Sequence, residues 1–250
     1  MAEYNPSYTA EDLLALYSFT GGVAKYVQLL VDAGATTKTK MLNHIIKADS
    51  VFLGEGKAIL IEEFGKDYGV YFSILSAIAR GKTLRSEIEQ IVGREIGGYL
   101  TKLEKEYEVI TKNQPIFEKS STKNVRYTIE DNFFSFWFRF IYKYNYMLEI
   151  ENYDAVKTII NRDYETFSGK MLERYFKRVL MESKAYTRIG SWWDRKGENE
   201  IDIVAENELN DEAVFIEVKR KEENFDAEAL GEKVAIFTRC LLYTSDAADD

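Results

Sequence analysis

Three residues able to do phosphoryl chemistry lie close together late in the chain. Asp202 is followed by Glu217 and Lys219. Two carboxylates suit a hard divalent cation such as Mg²⁺, which takes oxygen ligands and keeps several waters. A neighbouring lysine can orient or help deprotonate a water, or stabilise charge building up on a phosphate.

The elements that must position these groups are legible as alternation. Glu200-Ile201-Asp202-Ile203-Val204 and Val214-Phe215-Ile216-Glu217-Val218-Lys219 both have the period of two expected of half-buried strands. Strict alternation places Ile201 and Ile203 on one face, with Glu200, Asp202 and Val204 on the other. In the second strand it opposes Ile216 and Val218 to Phe215, Glu217 and Lys219. The polar stretch from Asn207 to Glu212 predicts a hairpin turn. Pairing would then bring Asp202, Glu217 and Lys219 to one sheet edge. A helix predicted over 166–181 carries Phe167, Leu172, Phe176, Val179 and Leu180 inward, with Glu173 near the edge of that face. A half-exposed hairpin with a merely charged outer face has the same local pattern.

Composition bounds the class. Hydrophobic residues make up 46% and charged residues 30% of 250 residues, as in a globular protein with ample core and two or three domains. No apolar run approaches the roughly 20 residues that cross a bilayer, so no membrane partner is expected. Residues 1–6 are polar and acidic and carry no secretory signature, which makes the cytoplasm the expected location. One Cys supports no disulfide framework, and one His offers little for zinc. Gly54-Glu55-Gly56-Lys57 lacks the spacing of a phosphate loop and is followed by Ala58, so a glycine-rich turn is predicted there. No Walker A motif occurs, and ATP hydrolysis is not expected from this chain. Residues 240–250 do not continue the pattern of the preceding helix. They look like translated adapter sequence, which would make the lone Cys240 and three acids of the net charge of −9 foreign to the protein.

In chain order, helices are predicted over 10–17, 23–31 and 38–53. Three more follow over 71–79, 84–92 and 96–106, then strands over 109–112 and 125–129. Three helices and a hairpin make a winged helix, whose third helix can enter a major groove. The basic candidates there are Lys102, Lys105, Lys112 and Arg126, with Arg195 and Lys196 further on. The surface is only mildly basic, so domain packing competes with phosphate contact. Asp131 is a predicted helix cap, and the aromatics of 133–144 run all round their helix, which predicts burial between domains. Trp192 and Trp193 should point opposite ways, one into the core and one outward. A final helix over 226–238 carries Lys233 within reach of the Asp202 site.

Asp202 followed by Glu217-Val218-Lys219, with Glu173 on the preceding helix, resembles the PD-(D/E)xK nuclease superfamily. Gly21-Gly22-Val23-Ala24-Lys25-Tyr26 resembles the Gly-Gly-x-Pro/Ala-x-Tyr element that opens the lid in an archaeal and bacterial family of P-loop ATPases. The aromatic run Phe133 to Phe140 is similar to that family's, and the likeness covers about residues 9–239. It implies an α+β multidomain chain: a helical lid remnant (1–65), a winged helix with the aromatic helix (66–150), and a truncated α/β PD-(D/E)xK nuclease-like domain (151–239). It implies that the nucleotide-binding domain, with its ATP, lies upstream and that the native sequence continues past Arg239. The function expected from it is Mg²⁺-dependent phosphodiester hydrolysis on nucleic acid, DNA favoured. Asp202 and Glu217 would hold the metal, Glu173 would assist, and Lys219 would position the nucleophile. The alternatives are a non-catalytic regulatory or DNA-binding module of the ATPase, and a protein-interaction scaffold. The oligomeric state is left open.

Overall fold

The computed structural model describes residues 8–119 and 121–246. Residues 1–6, read above for targeting, and 247–250, the end of the suspected foreign tail, lie outside the described residues. The described chain mixes helices with two small sheets and divides into two compact units. One holds the residues through Lys112 together with Arg126–Ser168, and the other holds Asn113–Val125 and the residues from Gly169 onward. No described helix is long and apolar enough to cross a membrane.

The first unit opens with α1 (Ala10–Thr20), α2 (Ala24–Asp32), α3 (Lys38–Ile45) and α4 (Val51–Phe64). Thr9 caps α1 by accepting the N–H of Asp12 at 3.1 Å. The helix passes the break predicted after Tyr17 and stops at Gly21, whose φ of 64° closes it with a bond to the Tyr17 carbonyl. The single helix predicted over 38–53 is two helices. They part at residues 46–50, where Asp49 takes a positive φ of 54°.

The glycine-rich turn predicted at 54–57 is instead interior to α4. The reason is steric: a Cβ on Gly56 would come within 2.4 Å of the Trp137 ring. That tryptophan also donates its indole N–H to the Leu53 carbonyl at 3.1 Å. The glycine is a seat for an indole, and the helix bears its low propensity there.

Next come α5 (Tyr68–Ala79), α6 (Arg85–Val92) and α7 (Gly97–Lys105), then the paired strands β1 (Ile110–Asn113) and β2 (Arg126–Ile129). This is the predicted order, with ends shifted by up to three residues. Asp131 caps α8 (Asn132–Phe136) by accepting the Phe134 N–H at 2.8 Å. The helix continues as a π-helical stretch over Trp137–Tyr142. Phe133, Phe136, Trp137, Phe138 and Phe140 are buried. Their ring partners, among them Phe19, Phe72 and Phe167, belong to the same unit, so this aromatic cluster is that unit's own core. After α9 (Asn145–Glu149) the long α10 (Tyr153–Ser183) begins.

In the second unit, α10 leads to three antiparallel strands, β3 (Arg188–Trp193), β4 (Glu200–Asn207) and β5 (Glu212–Ile216), in the order β3-β4-β5, and then to α11 (Ala227–Asp246). The core joins Ile116, Trp192, Ile201, Val204 and Phe237, with Phe215, Leu230, Val234 and Leu241 against it. Three expectations change here. Phe176 and Val179 on α10 are exposed, whereas Phe167 is buried. Both tryptophans are buried, because residues 113–125 cover the strand: Trp193 donates its indole N–H to Asn124 Oδ1 at 2.8 Å. And the helix continues past Arg239, since α11 runs to Asp246 and Leu241 packs on the core.

The register explains the position of Asp202. Gly190 pairs with Val204, but Trp192 pairs with Ile201. Ser191 therefore faces two residues of β4, Asp202 and Ile203, which is a β-bulge. The extra residue resets the alternation, and Ile201 and Val204 join the same core cluster instead of opposite faces.

Candidate active site

Asp202 stands at this bulge, a device that bends a strand and re-aims a side chain, and that is frequent beside functional sites. Across from it, β5 leaves the ladder after Ile216, and the chain enters Glu217-Val218-Lys219. The Val218 N–H is satisfied by a side chain, donating to Asp202 Oδ2 at 2.8 Å. The strand end and the aspartate thus hold each other in place.

Glu217 is nearly enclosed, with 11% of its side chain exposed, and both its oxygens are engaged. Lys233 on α11 donates to Oε1 at 3.0 Å and Oε2 at 3.1 Å. Lys219 meets Oε1 at 2.6 Å. Burial would raise the Glu217 carboxyl, but the two ammonium groups hold it below the usual range. The same bond to Glu217 raises Lys219.

Glu173, half-buried on α10, faces the opposite situation. Burial pushes it up to about 7, with Asp202 and Glu200 adding like-charge repulsion against the pull of Lys170 and Lys219. Burial also raises Asp202, opposed by the Val218 N–H and Lys219 and reinforced by Glu217 and Glu200. Glu173 and Lys219 thus interact electrostatically with Asp202, and Lys219 with Glu217, bringing together α10, β4 and the residues just past β5 within one unit. Glu200, Lys170 and Lys233 join them. Alternation had already put Glu200 on the Asp202 face, and Lys170 is one helical turn from Glu173. Lys233, expected within reach of the site from the sequence, meets Glu217 in particular.

The donor set fits a hard cation in kind, since every candidate ligand is a carboxylate oxygen. Asp202 Oδ1 accepts no hydrogen bond among the described residues, and Glu173 is a buried acid held among other acids. As they stand, no three His, Cys, Asp or Glu among the described residues are gathered as in a metal site. Mg²⁺ commonly needs only one or two carboxylates, completed by waters and phosphate oxygens.

The basic candidates are dispersed. Lys102 and Lys105 are exposed on α7, Lys112 is exposed on β1, and Arg126 is half-buried on β2, all in the first unit. Arg195 and Lys196 are exposed at the β3–β4 turn of the second. That turn is built by Asp194, whose carboxylate accepts from the Glu198 and Asn199 N–H groups and the Asn199 amide. Burial acts against ionisation there, and those bonds overcome it, holding Asp194 low.

Residues 137–230 match the model of DUF234, a family described as archaeal and bacterial proteins of unknown function. The match takes in Glu173, Asp202, Glu217 and Lys219 and ends just before Lys233. An uncharacterized protein of Methanocaldococcus jannaschii is 31% identical over 237 residues, which cover 89% of this chain and 51% of that protein. The chain thus spans about half the length of the curated relative it matches. No solved structure matches significantly.

Proposed function

We propose that the second unit is a Mg²⁺-dependent phosphodiesterase acting on nucleic acid, DNA first, within a larger protein of P-loop ATPase type. The observation that carries this reading is the gathering of Glu173, Asp202, Glu217 and Lys219 at the bulged end of one antiparallel sheet. Asp202 and Glu217 would hold the ion, which supplies Lewis acidity toward a phosphate oxygen. Lys219 is placed to hold the attacking water or the phosphate by charge-assisted hydrogen bonds. Glu173, raised to about 7, is suited to exchanging a proton near neutrality. On this reading Lys102, Lys105, Lys112, Arg126, Arg195 and Lys196 supply backbone phosphate contacts, the three helices and ribbon of the first unit act as a winged helix, and ATP binds in a preceding domain.

A second reading, a non-catalytic docking or regulatory module of the ATPase, is favoured by the engagement of both Glu217 oxygens with lysine. Incubation of the chain with supercoiled DNA separates the two. Nicking that needs Mg²⁺ or Mn²⁺, stops with chelator and is absent in Asp202→Ala supports the enzyme. Intact DNA with folded protein leaves the docking module.

A further inference from the structure

Lys233 lies outside the Glu-x-Lys segment, on a different element, yet it is the group that spans both oxygens of Glu217, at 3.0 and 3.1 Å. Lys219 meets Oε1 at 2.6 Å. The Glu217 side chain is 11% exposed and that of Lys233 26% exposed, so the carboxylate offers an incoming ion little surface that an ammonium does not already cover. The helix under Lys233 is fixed, because Leu230, Val234 and Phe237 on either side of it pack on the unit's core. Displacement must therefore come from rotation of the lysine side chain and not from movement of α11.

From this we infer that Lys233 is a built-in counter-ion that a divalent cation has to displace from Glu217, and that it sets the affinity of the ion site. It is a positioning residue: it holds the Glu217 carboxylate oriented and neutralised while no ion is bound, and it weakens ion binding by competing for the same oxygens. The inference rests on the proposed ion site at Asp202 and Glu217, and extends it to regulation of that site. If the ion bound without displacing the ammonium, two like charges would face each other across one carboxylate and binding would be weakened.

Mn²⁺ titration by calorimetry, on the full chain with its fold checked by circular dichroism, tests it without any activity readout. Lys233→Met should bind Mn²⁺ about tenfold more tightly than wild type, the scale of one charged hydrogen bond released from competition. Lys233→Arg, which keeps the cation, should not tighten binding. Lys221→Met removes the same charge from an exposed lysine 3.6 Å from Glu223, and should leave affinity within about twofold. If wild type binds Mn²⁺ through Asp202 but Lys233→Met binds equally or more weakly, the counter-ion role is overturned while the ion site stands. Equal tightening in Lys221→Met would also overturn it, since general charge would then be the cause. If neither folded wild type nor folded Lys233→Met binds, the ion site itself fails and the inference falls with it.

Discussion

Asp202 accepts the Val218 backbone N–H at 2.8 Å at the point where β5 has already left the ladder. One carboxylate oxygen is thereby spent on architecture, and the other accepts no hydrogen bond among the described residues. The two roles can be separated by substitution. Asp202→Ala leaves the Val218 N–H without its partner and should cost about 1–3 kcal/mol in urea unfolding. Asp202→Asn keeps an acceptor and should cost less, yet it should lose Mn²⁺ binding in calorimetry as fully as alanine does. Full ion binding by Asp202→Asn would remove this residue from the ion site.

Glu173 provides a pH signature. Burial pushes its carboxyl from the ordinary value of 4.5 up to about 7, so the folded protein holds this proton more tightly than the unfolded chain. The associated stability is fully present below about pH 4.5 and is lost as pH rises through about 7. Glu173→Gln mimics the protonated acid. It should match wild type in urea stability near pH 4.5 and exceed it above pH 7, by at most about 3 kcal/mol. Parallel curves across that window would mean that the carboxylate is ionised throughout. A bound cation should draw the titration downward, so Mn²⁺ should narrow the gap between the two proteins.

Asp202, Glu217, Lys219 and Glu173, picked from the sequence by residue type and order, do lie near one another in the fold, because the predicted helix and hairpin form with local errors only. The faces were partly wrong, because period two cannot register a bulge. One extra residue opposite Ser191 carries Val204 to the side of Ile201, and only the partner strand reveals it. Extended backbone predicts that one of the two tryptophans points outward, yet both are buried, and the partner of Trp193, Asn124, comes from 69 residues earlier in the chain. The same holds for Gly56, which reads as a turn until Trp137 is placed against it. Phe176 and Val179 keep a helical apolar period on a stretch of α10 that is nonetheless exposed. Amphipathic spacing marks a face able to be covered, and it does not supply the cover.

The two glycines of α4 make a matched pair. At Gly54 an added Cβ has nothing within 4 Å, and at Gly56 it would come within 2.4 Å of the Trp137 ring. Gly54→Ala should therefore stabilise the first unit by up to about 1 kcal/mol through helix propensity. Gly56→Ala should destabilise it by roughly 1–3 kcal/mol through overpacking. Thermal melts of the two variants decide the matter. Equal gains would show that the indole does not occupy that seat.

The cover over β3 can be tested through Gly190, where a Cβ would sit 2.9 Å from Ile116 Cβ and 3.2 Å from its Cγ1. Ile116 is held there by its own N–H, which donates to the Ser191 carbonyl at 2.9 Å, and by its place in the core beside Trp192 and Phe237. Gly190→Ala should cost roughly 1–3 kcal/mol, because the branched Cβ cannot rotate away. Ile116→Ala alone should cost about 2–5 kcal/mol as a core truncation. Combined, the two should cost less than their sum by about 1 kcal/mol or more, since removing Cγ1 and Cδ1 lets the remaining methyl groups settle against each other. Urea unfolding of the four proteins completes the cycle. Strict additivity would show that the segment around Ile116 does not lie on Gly190, and the burial of both tryptophans would then need another cover.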